Sequence, residues 1–323
     1  MTISEALKWG VKNLTDSSSR LVGTTKNTEK RKGYLKSTFN TAFLDAEILL
    51  SFVLGKPKEF LFTYPEKKLT SAQIAKYKKF IARRRKREPI AYITGKKEFY
   101  SRNFFVSPAV LIPRPDTETL IDVAKKTIGS LASNSLKIVD VGVGSGAIAI
   151  TLKKEFPRTR VLAIEISPKA IALTQKNAHA LGAKITIKKG DLLYIKKPSL
   201  DILSLAEKSV KNSKNKLSGV GNPIVITANL PYLSQEEWTK AQPEVKRHEP
   251  KGALVGGKTG TEIYKKLFEQ IRDIKINNIT LIIEIGAKQK PAIEKLAQKI
   301  LKPKKIEFTK DLSGKWRVMK CST

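Results

Sequence analysis

The sequence predicts an α/β fold: a mostly parallel sheet wound on both faces by helices, preceded by a small helical domain and a connecting β-hairpin. Three observations carry this. From residue 136 onward, short β-branched runs alternate with helix-period segments, the pattern of a parallel sheet with crossover helices. A glycine-rich turn from Asp140 to Ala147 follows the first of these runs and opens a helix. Residues 1–87 instead carry apolar stripes at helical period.

Residues 1–87 are read as one helical domain, 88–115 as a hairpin linker and 116–323 as the α/β domain. Met1 to Leu14 alternates apolar and polar residues at helical spacing. Asp16 to Asn40, rich in Ser, Thr, Lys and Asn, reads as a flexible loop. Ala42, Leu44, Ile48, Leu49, Phe52, Val53 and Leu54 form a helical stripe that Gly55 and Pro57 end. Thr70-Ser71 opens another helix, with Ile74, Tyr77, Phe80 and Ile81 on one face. Tyr92-Ile93-Thr94, Glu98-Phe99-Tyr100 and Phe104-Phe105-Val106 read as hairpin arms, turned at Gly95 and at Ser101 to Asn103. Pro113 and Pro115 exclude helix around Arg114. Asp116 or Thr117 caps the helix that follows, whose apolar face is Leu120, Ile121, Val123, Ala124 and Ile128.

In the α/β domain, strands are expected at 137–141, 161–165, 185–188, 224–228 and 281–285, with helices at 147–154, 168–181, 262–274 and 291–300. Pro168 suits the first turn of its helix. Ile306 to Phe308 and Trp316 to Met319 read as a closing antiparallel pair around an Asp311 to Gly314 turn. Lys196 to Asn222 is too long and polar for an ordinary connection and reads as an insertion, with a short helix at 200–210.

A length of 323 residues with 41% hydrophobic residues allows two domains with a sizeable core. No apolar run has bilayer length, and the N-terminus lacks the apolar stretch of a signal peptide. A soluble, cytoplasmic protein with no membrane contact is expected. One cysteine excludes a disulfide framework or a cysteine-rich zinc site, and two distant histidines argue against a metal cage. No metal is expected. Lys and Arg total 62 against 29 Asp and Glu, a formal charge of +33. Such a surface suits weak association with RNA or a ribosome, although the lysines are spread along the whole chain.

The sharpest local signal is Asp140-Val141-Gly142-Val143-Gly144-Ser145-Gly146-Ala147. Glycines there let the backbone turn and approach a ligand closely. Glu165 ends the next strand, 23 residues after Gly142, where a carboxylate accepts ribose hydroxyls. The run also fits a nicotinamide dinucleotide fingerprint. Asp140 weighs against that reading, because a carboxylate at this point repels a pyrophosphate but suits a ligand carrying an ammonium group.

Asn229-Leu230-Pro231-Tyr232 follows the strand ending at Ala228, at the carboxyl end where open α/β sheets bind ligands. These four residues suit a planar NH2 group. The Asn229 side-chain oxygen and the Leu230 carbonyl can accept its hydrogens, Pro231 stiffens the turn and Tyr232 packs on the flat group. The gain would be positional, holding nitrogen and electrophile in line.

With these motifs, the chain resembles the HemK/PrmC protein-glutamine methyltransferases, which modify the glutamine of the Gly-Gly-Gln motif in class-one peptide release factors. The resemblance includes Leu44 to Leu50, Arg87 to Gly95, Glu249-Pro250, Ala253-Leu254 and Asp311 to Arg317. Its most specific part is Phe105 to Pro108 with Leu111 to Glu118. It implies a helical N-terminal domain that helps hold the release factor and a class I (Rossmann-like) methyltransferase domain. It implies that S-adenosylmethionine binds at Asp140, Gly142, Val143, Gly144, Ser145, Gly146 and Glu165, with Asp191 and Leu192 flanking the adenine. The segment Pro113 to Glu118, with Arg114, Pro115 and Thr117, would cover the cofactor beside Asn229. The family motif is Asn-Pro-Pro-Tyr, and Leu230 replaces its first proline. The Asn-Leu-Pro-Tyr form also occurs in rRNA adenine dimethyltransferases, so adenine amino methylation of RNA or DNA is the alternative. A non-catalytic rRNA-binding protein is a third reading, opposed by retention of both motifs.

Overall fold

The computed structural model describes residues 1–19, 28–131, 135–195, 222–274, 276 and 278–323, with side chains described outside 17–40. The chain divides into two compact units, Met1–Gly95 and Lys96–Thr323. The segment 88–115, expected as a linker, is therefore shared between them.

The first unit is helical: α1 (Ile3–Ser19), α2 (Thr28–Leu54), α3 (Glu59–Thr63), α4 (Ser71–Arg85) and α5 (Ile90–Thr94). Of the loop expected at 16–40, residues 20–27 lie outside the described residues, while 16–19 and 28–40 are helical instead, because α1 runs through Ser19 and α2 starts at Thr28. Residues such as Glu29, Lys30 and Arg31 are polar but good helix formers, so polarity alone does not indicate loop. Leu49, Leu50, Leu61, Tyr77 and Ile81 are buried together. Ala42, Ala46, Leu49 and Leu50 form the inward stripe of α2, while Leu44 and Phe52 are exposed. Packing sets the inward face, and Leu44 and Phe52 lie off that i, i+4, i+7, i+8 row. Thr70 caps α4 in a reciprocal box with Gln73. Gly10 leaves room for the Tyr77 hydroxyl, which stands 2.1 Å from where a Cβ would lie.

Tyr92 to Thr94, expected as a strand, is helical in α5. Pro89 starts this helix and Gly95, at φ +74°, ends it. Tyr92 and Ile93 are buried, so tertiary packing overrides their strand preference.

The second unit opens with the antiparallel hairpin β1 (Lys96–Phe99) and β2 (Arg102–Phe105), then a 3-10 turn (Pro115–Thr117) and α6 (Glu118–Leu131). The doubly wound region comprises β3 (Lys137–Val141), α7 (Ala147–Glu155), β4 (Arg160–Glu165), α8 (Pro168–Ala180), β5 (Thr186–Asp191), β6 (Tyr194–Ile195) and β7 (Ile224–Ala228). After β7 come β8 (Leu233–Ser234), α9 (Gln235–Lys240), α10 (Pro243–His248), β9 (Val255–Gly257) and α11 (Glu262–Ile274). The chain closes with β10 (Ile279–Glu284), α12 (Lys290–Ile300), β11 (Lys305–Lys310) and β12 (Trp316–Ser322). The short elements β6, β8, β9, α9 and α10 leave no clear periodic trace in the sequence. The helix expected at 200–210 lies outside the described residues.

Among the described residues the main sheet has eight strands, in the order β11-β12-β10-β7-β3-β4-β5-β6. Strands β5, β4, β3, β7 and β10 are parallel, and β12 runs antiparallel beside β10. Alternate residues of each strand feed opposite faces. Ile138, Val161, Ala163 and Ile282 join the core that holds α6 and α7. Val139, Leu162, Ile164, Leu281 and Ile283 join the core that holds α11 and α12. Burial on both sides explains the nearly continuous apolar runs in the sequence. The chain leaves β3 toward β4 and β5, then returns to β7 and β10 on the other side. This reversal opens a crevice above the carboxyl ends of β3 and β7, where doubly wound sheets take ligands.

Candidate active site

The two motifs meet at that crevice. Strands β3 and β7 are in register, with Val141 opposite Ala228, so the glycine loop and Asn229 leave the sheet side by side. Gly142 has φ +72°, and a Cβ there would lie 3.0 Å from Leu230 Cδ2. The amide N–H groups of Gly142 and Val143 donate to the Ile164 carbonyl at 2.9 and 3.2 Å. Gly144 has φ +57°, and a Cβ there would meet only the Gly142 oxygen, at 3.9 Å. The loop is therefore tight against Leu230 at one end and open at its middle.

Helix α8 braces the loop from behind. The Thr174 hydroxyl donates to the Gly144 carbonyl at 2.8 Å. Buried Asn177 donates from Nδ2 to the Ser145 carbonyl (2.8 Å) and the Phe105 carbonyl (2.9 Å). Its Oδ1 accepts the Phe105 N–H at 2.7 Å. Glu165 faces the open middle: Oε2 accepts Gly144 N–H at 2.9 Å, and Oε1 accepts Ile166 and Ser167 N–H. Three of about four acceptor positions on a carboxylate are thus occupied, leaving room for a hydroxyl. Beside it Ile166 is 59% exposed, an apolar surface at a strand mouth.

Asp140 points the other way. Its Oδ1 accepts the Thr227 hydroxyl at 2.8 Å, and its Oδ2 accepts Ala149 N–H, in the first turn of α7, at 3.2 Å. Burial pushes its carboxyl up to about 7. Asp140 thereby ties β3, β7 and α7 together at the base of the loop. Asp191 ends β5 and pairs with Lys266 of α11 at 2.5 Å. Leu192 follows with φ +55° and packs at the edge of the second core.

At the Asn229 end, a chain of polar groups runs inward. Asn229 Nδ2 donates to Thr117 Oγ1 at 3.0 Å, and the Thr117 hydroxyl donates to Glu284 Oε2 at 2.6 Å. The Tyr232 hydroxyl approaches Glu284 Oε1 at 3.4 Å. Glu284 ends β10, in register beside β7, and is 1% exposed. Burial pushes its carboxyl up to about 7. Burial also raises Tyr232 above the usual phenol range. Gln289 Nε2 donates to the Tyr232 carbonyl at 2.8 Å. Gly256 permits close approach of the Pro231 carbonyl, 2.3 Å from where a Cβ would stand. The turn Asn229 to Tyr232 is thus held from two sides.

The Pro113 to Glu118 segment is anchored rather than loose. Arg114 pairs with buried Glu249 at 2.5 Å, and Glu249 also accepts Ile112 N–H. Arg317 links Asp116 and Asp311, each at 3.0 Å. Pro115 is exposed at the start of the 3-10 turn, while Thr117 is buried with its hydroxyl between Asn229 and Glu284.

A protein-family model described as the PrmC N-terminal domain matches residues 32–95, and one described as a methyltransferase domain matches residues 138–215. Over 245 residues the chain is 41% identical to the release factor glutamine methyltransferase of Koribacter versatilis, covering 75% of this chain and 79% of that one. Over 320 residues, 98% of this chain and 96% of the relative, it is 32% identical to the enzyme of the same name from Bacillus subtilis. The chain belongs to the release factor glutamine methyltransferase family. The hMettl16 catalytic domain, solved in complex with MAT2A 3'UTR hairpin 6, shares the fold, with a TM-score of 0.50 at 15% identity over 78% of this chain and 82% of that one. The protein is a methyltransferase, and S-adenosylmethionine is its methyl donor.

The residues present fit that donor. The loop is open at Gly144, the Glu165 carboxylate faces the opening, and Ile166 and Leu192 offer apolar surface at adjacent strand ends. Sequence reasoning passed over Thr174, Asn177, Ile166, Gln289 and Glu284. Glu284 carried a signal, since it is an acid closing the apolar run Leu281 to Ile283, just as Glu165 closes β4. Thr174, Asn177 and Gln289 act through backbone groups, Ile166 offers a lone apolar surface, and none of the four leaves a spacing pattern.

Proposed function

We propose that this enzyme methylates the side-chain amide nitrogen of the Gly-Gly-Gln glutamine in class-one peptide release factors, and so supports translation termination in the cytoplasm. The observation that carries it is the Asn229 amide. Its nitrogen is committed to Thr117, and among the described residues no donor reaches its oxygen, which is left to accept an NH2 hydrogen beside the glycine loop. S-adenosylmethionine supplies an electrophilic methyl group on sulfonium sulfur.

The protein's own work is positional. An amide nitrogen is a weak nucleophile because its lone pair is delocalised into the carbonyl. Asn229 Oδ1 and the Leu230 carbonyl hold the two NH2 hydrogens and so fix the plane of the group. Pro231 stiffens the turn behind that carbonyl, Gly256 seats the Pro231 carbonyl that follows it, and Tyr232 packs against the flat amide. Holding the reacting atoms in line and near contact accounts for much of the acceleration. In this reading Gly142, Val143, Gly144, Ser145, Gly146 and Glu165 hold the donor, with Asp191 and Leu192 near its adenine and Arg114, Pro115 and Thr117 near its reactive end. Asp140 acts from beneath the loop. The helical unit, matched by the PrmC N-terminal model, helps hold the release factor. The charge of +33 suits weak contact with RNA or ribosomes during that encounter.

Leu230 and the charge favour adenine amino methylation as the second reading. One assay separates the two: labelled S-adenosylmethionine with purified release factor, or with RNA. Label is expected on the release factor and is lost when the Gly-Gly-Gln glutamine is changed to alanine. Label on RNA alone overturns the proposal.

A further inference from the structure

We propose that Glu284, acting through the Thr117 hydroxyl, fixes which end of the Asn229 amide faces the acceptor. This rests on the methyl-transfer reading above and adds a positioning residue to it. An Asn side chain has a donor end and an acceptor end, and a half-turn exchanges them. Only the oxygen can hold an NH2 group, so the orientation decides whether the acceptor is bound or repelled.

The polarity of the chain is set from its buried end. A carboxylate can only accept, so Glu284 takes the Thr117 hydroxyl hydrogen at 2.6 Å. A hydroxyl has one hydrogen, and with it spent, the Thr117 oxygen can only accept from Asn229. That draws Nδ2 inward to 3.0 Å and turns Oδ1 toward the crevice. Protonated Glu284 has a hydrogen to give. It can donate to Thr117, freeing the Thr117 hydrogen for Asn229 Oδ1, and the amide is no longer held one way round.

The surroundings place this exchange near neutral pH. Burial raises the Glu284 carboxyl to about 7; Thr117, Arg317 and Tyr232 oppose the rise and Asp116 adds to it. The groups facing it are Asp116 and Thr117 from the 3-10 turn, Tyr232 after β7, Tyr264 of α11 and Arg317 of β12. Tyr264 donates to the Glu284 backbone carbonyl, Arg317 is shared with Asp311, and Arg114 lies within the field of Tyr232. Both tyrosines stay neutral across this range because burial raises them. Asp140 is also raised to about 7, but it belongs to the loop base.

The test compares wild type, Glu284→Gln, Thr117→Val and Thr117→Ser in single-turnover methylation of release factor from pH 5.5 to 9, with S-adenosylmethionine affinity measured separately. Loss of amide positioning is expected to lower the rate by about 10- to 100-fold in Glu284→Gln and Thr117→Val. Donor affinity should stay within about threefold in Glu284→Gln, and Thr117→Ser should recover most of the rate. Wild-type rate should fall as pH drops through about 7, and Glu284→Gln should lack this limb. An acidic limb surviving in Glu284→Gln, or Thr117→Ser as impaired as Thr117→Val, overturns the proposal. A second readout needs no substrate: the Asn229 side-chain NH2 resonances should titrate near neutrality in wild type and not in Glu284→Gln. A pH-independent signal in wild type overturns the inference even where the release-factor reading stands. An enzyme silent on release factor but showing the titration separates failure of that reading from failure of this one.

Discussion

Leu230 occupies the position where the family motif carries proline, and its side chain is 3% exposed with Cδ2 against Gly142. The motif needs a carbonyl at this point, and any residue supplies one. What Leu230 adds is a packing contact between the acceptor turn and the donor loop. Gly142→Ala would put a methyl group against it at a φ of +72°, strained by about 1–3 kcal/mol. We expect this variant to weaken S-adenosylmethionine binding in calorimetric titration while release-factor binding persists. Asn229→Ala should behave in reverse, with turnover falling at least about a hundredfold and donor affinity little changed. A large loss of donor affinity with unchanged turnover would contradict the role given to Asn229. Residues such as Gly142, Glu165 and Asn229 were legible because their chemistry is local: a turn, a strand-end carboxylate, a strand-exit amide. Asn177 and Thr174 were not, because what they hold are backbone carbonyls that the fold alone brings to α8.

Among the elements, α8 does more than cross between strands. Asn177 closes three hydrogen bonds to Phe105 and Ser145 and so joins the β1–β2 hairpin to the glycine loop. Asn177→Ala leaves those backbone groups unpaired, a penalty of about 1–3 kcal/mol for each group that stays dry. Urea unfolding should show the loss, and donor affinity should fall with it, because the loop loses its rear support. A variant as stable as wild type would count against the brace. The long elements of the α/β unit were readable because strands buried on both faces leave apolar runs and because Pro168 marks a helix start, which the structure shows capped by Ser167. Helix α5 was misread because β-branched and aromatic residues there serve a buried helix, bounded by Pro89 and Gly95. The start of α2 was missed because a polar helical stretch and a polar loop have similar composition.

At the scale of the whole chain, folding is linked to pH through carboxyls displaced in opposite directions. Asp140 is raised to about 7 by burial, well above its unfolded value. Its contribution to stability is full below about pH 4 and is lost as pH rises through about 7. Asp140→Asn removes that dependence while keeping a side chain able to bond Thr227. The variant should therefore gain on wild type between pH 4 and 8, by up to about 1.4 kcal/mol per pH unit, in urea titrations. A difference that stays flat across this range would contradict the assignment. Asp311 behaves oppositely. Burial alone would raise it, but bonds from Ser313, Lys315 and Arg317 outweigh burial and hold it at about 2. Its support is present above about pH 4 and fades as pH falls through about 2.

The single cysteine of the sequence, Cys321, lies within β12, 1% exposed, between the paired strands β10 and β11. Burial lifts its thiol to about 12, so the thiolate that reacts with alkylating reagents is scarce in the folded chain. A thiol reagent can therefore reach it only when the sheet parts. Its rate of modification becomes an intrinsic clock for opening of the catalytic unit, and anything that occupies the crevice and stabilises that unit should slow the clock.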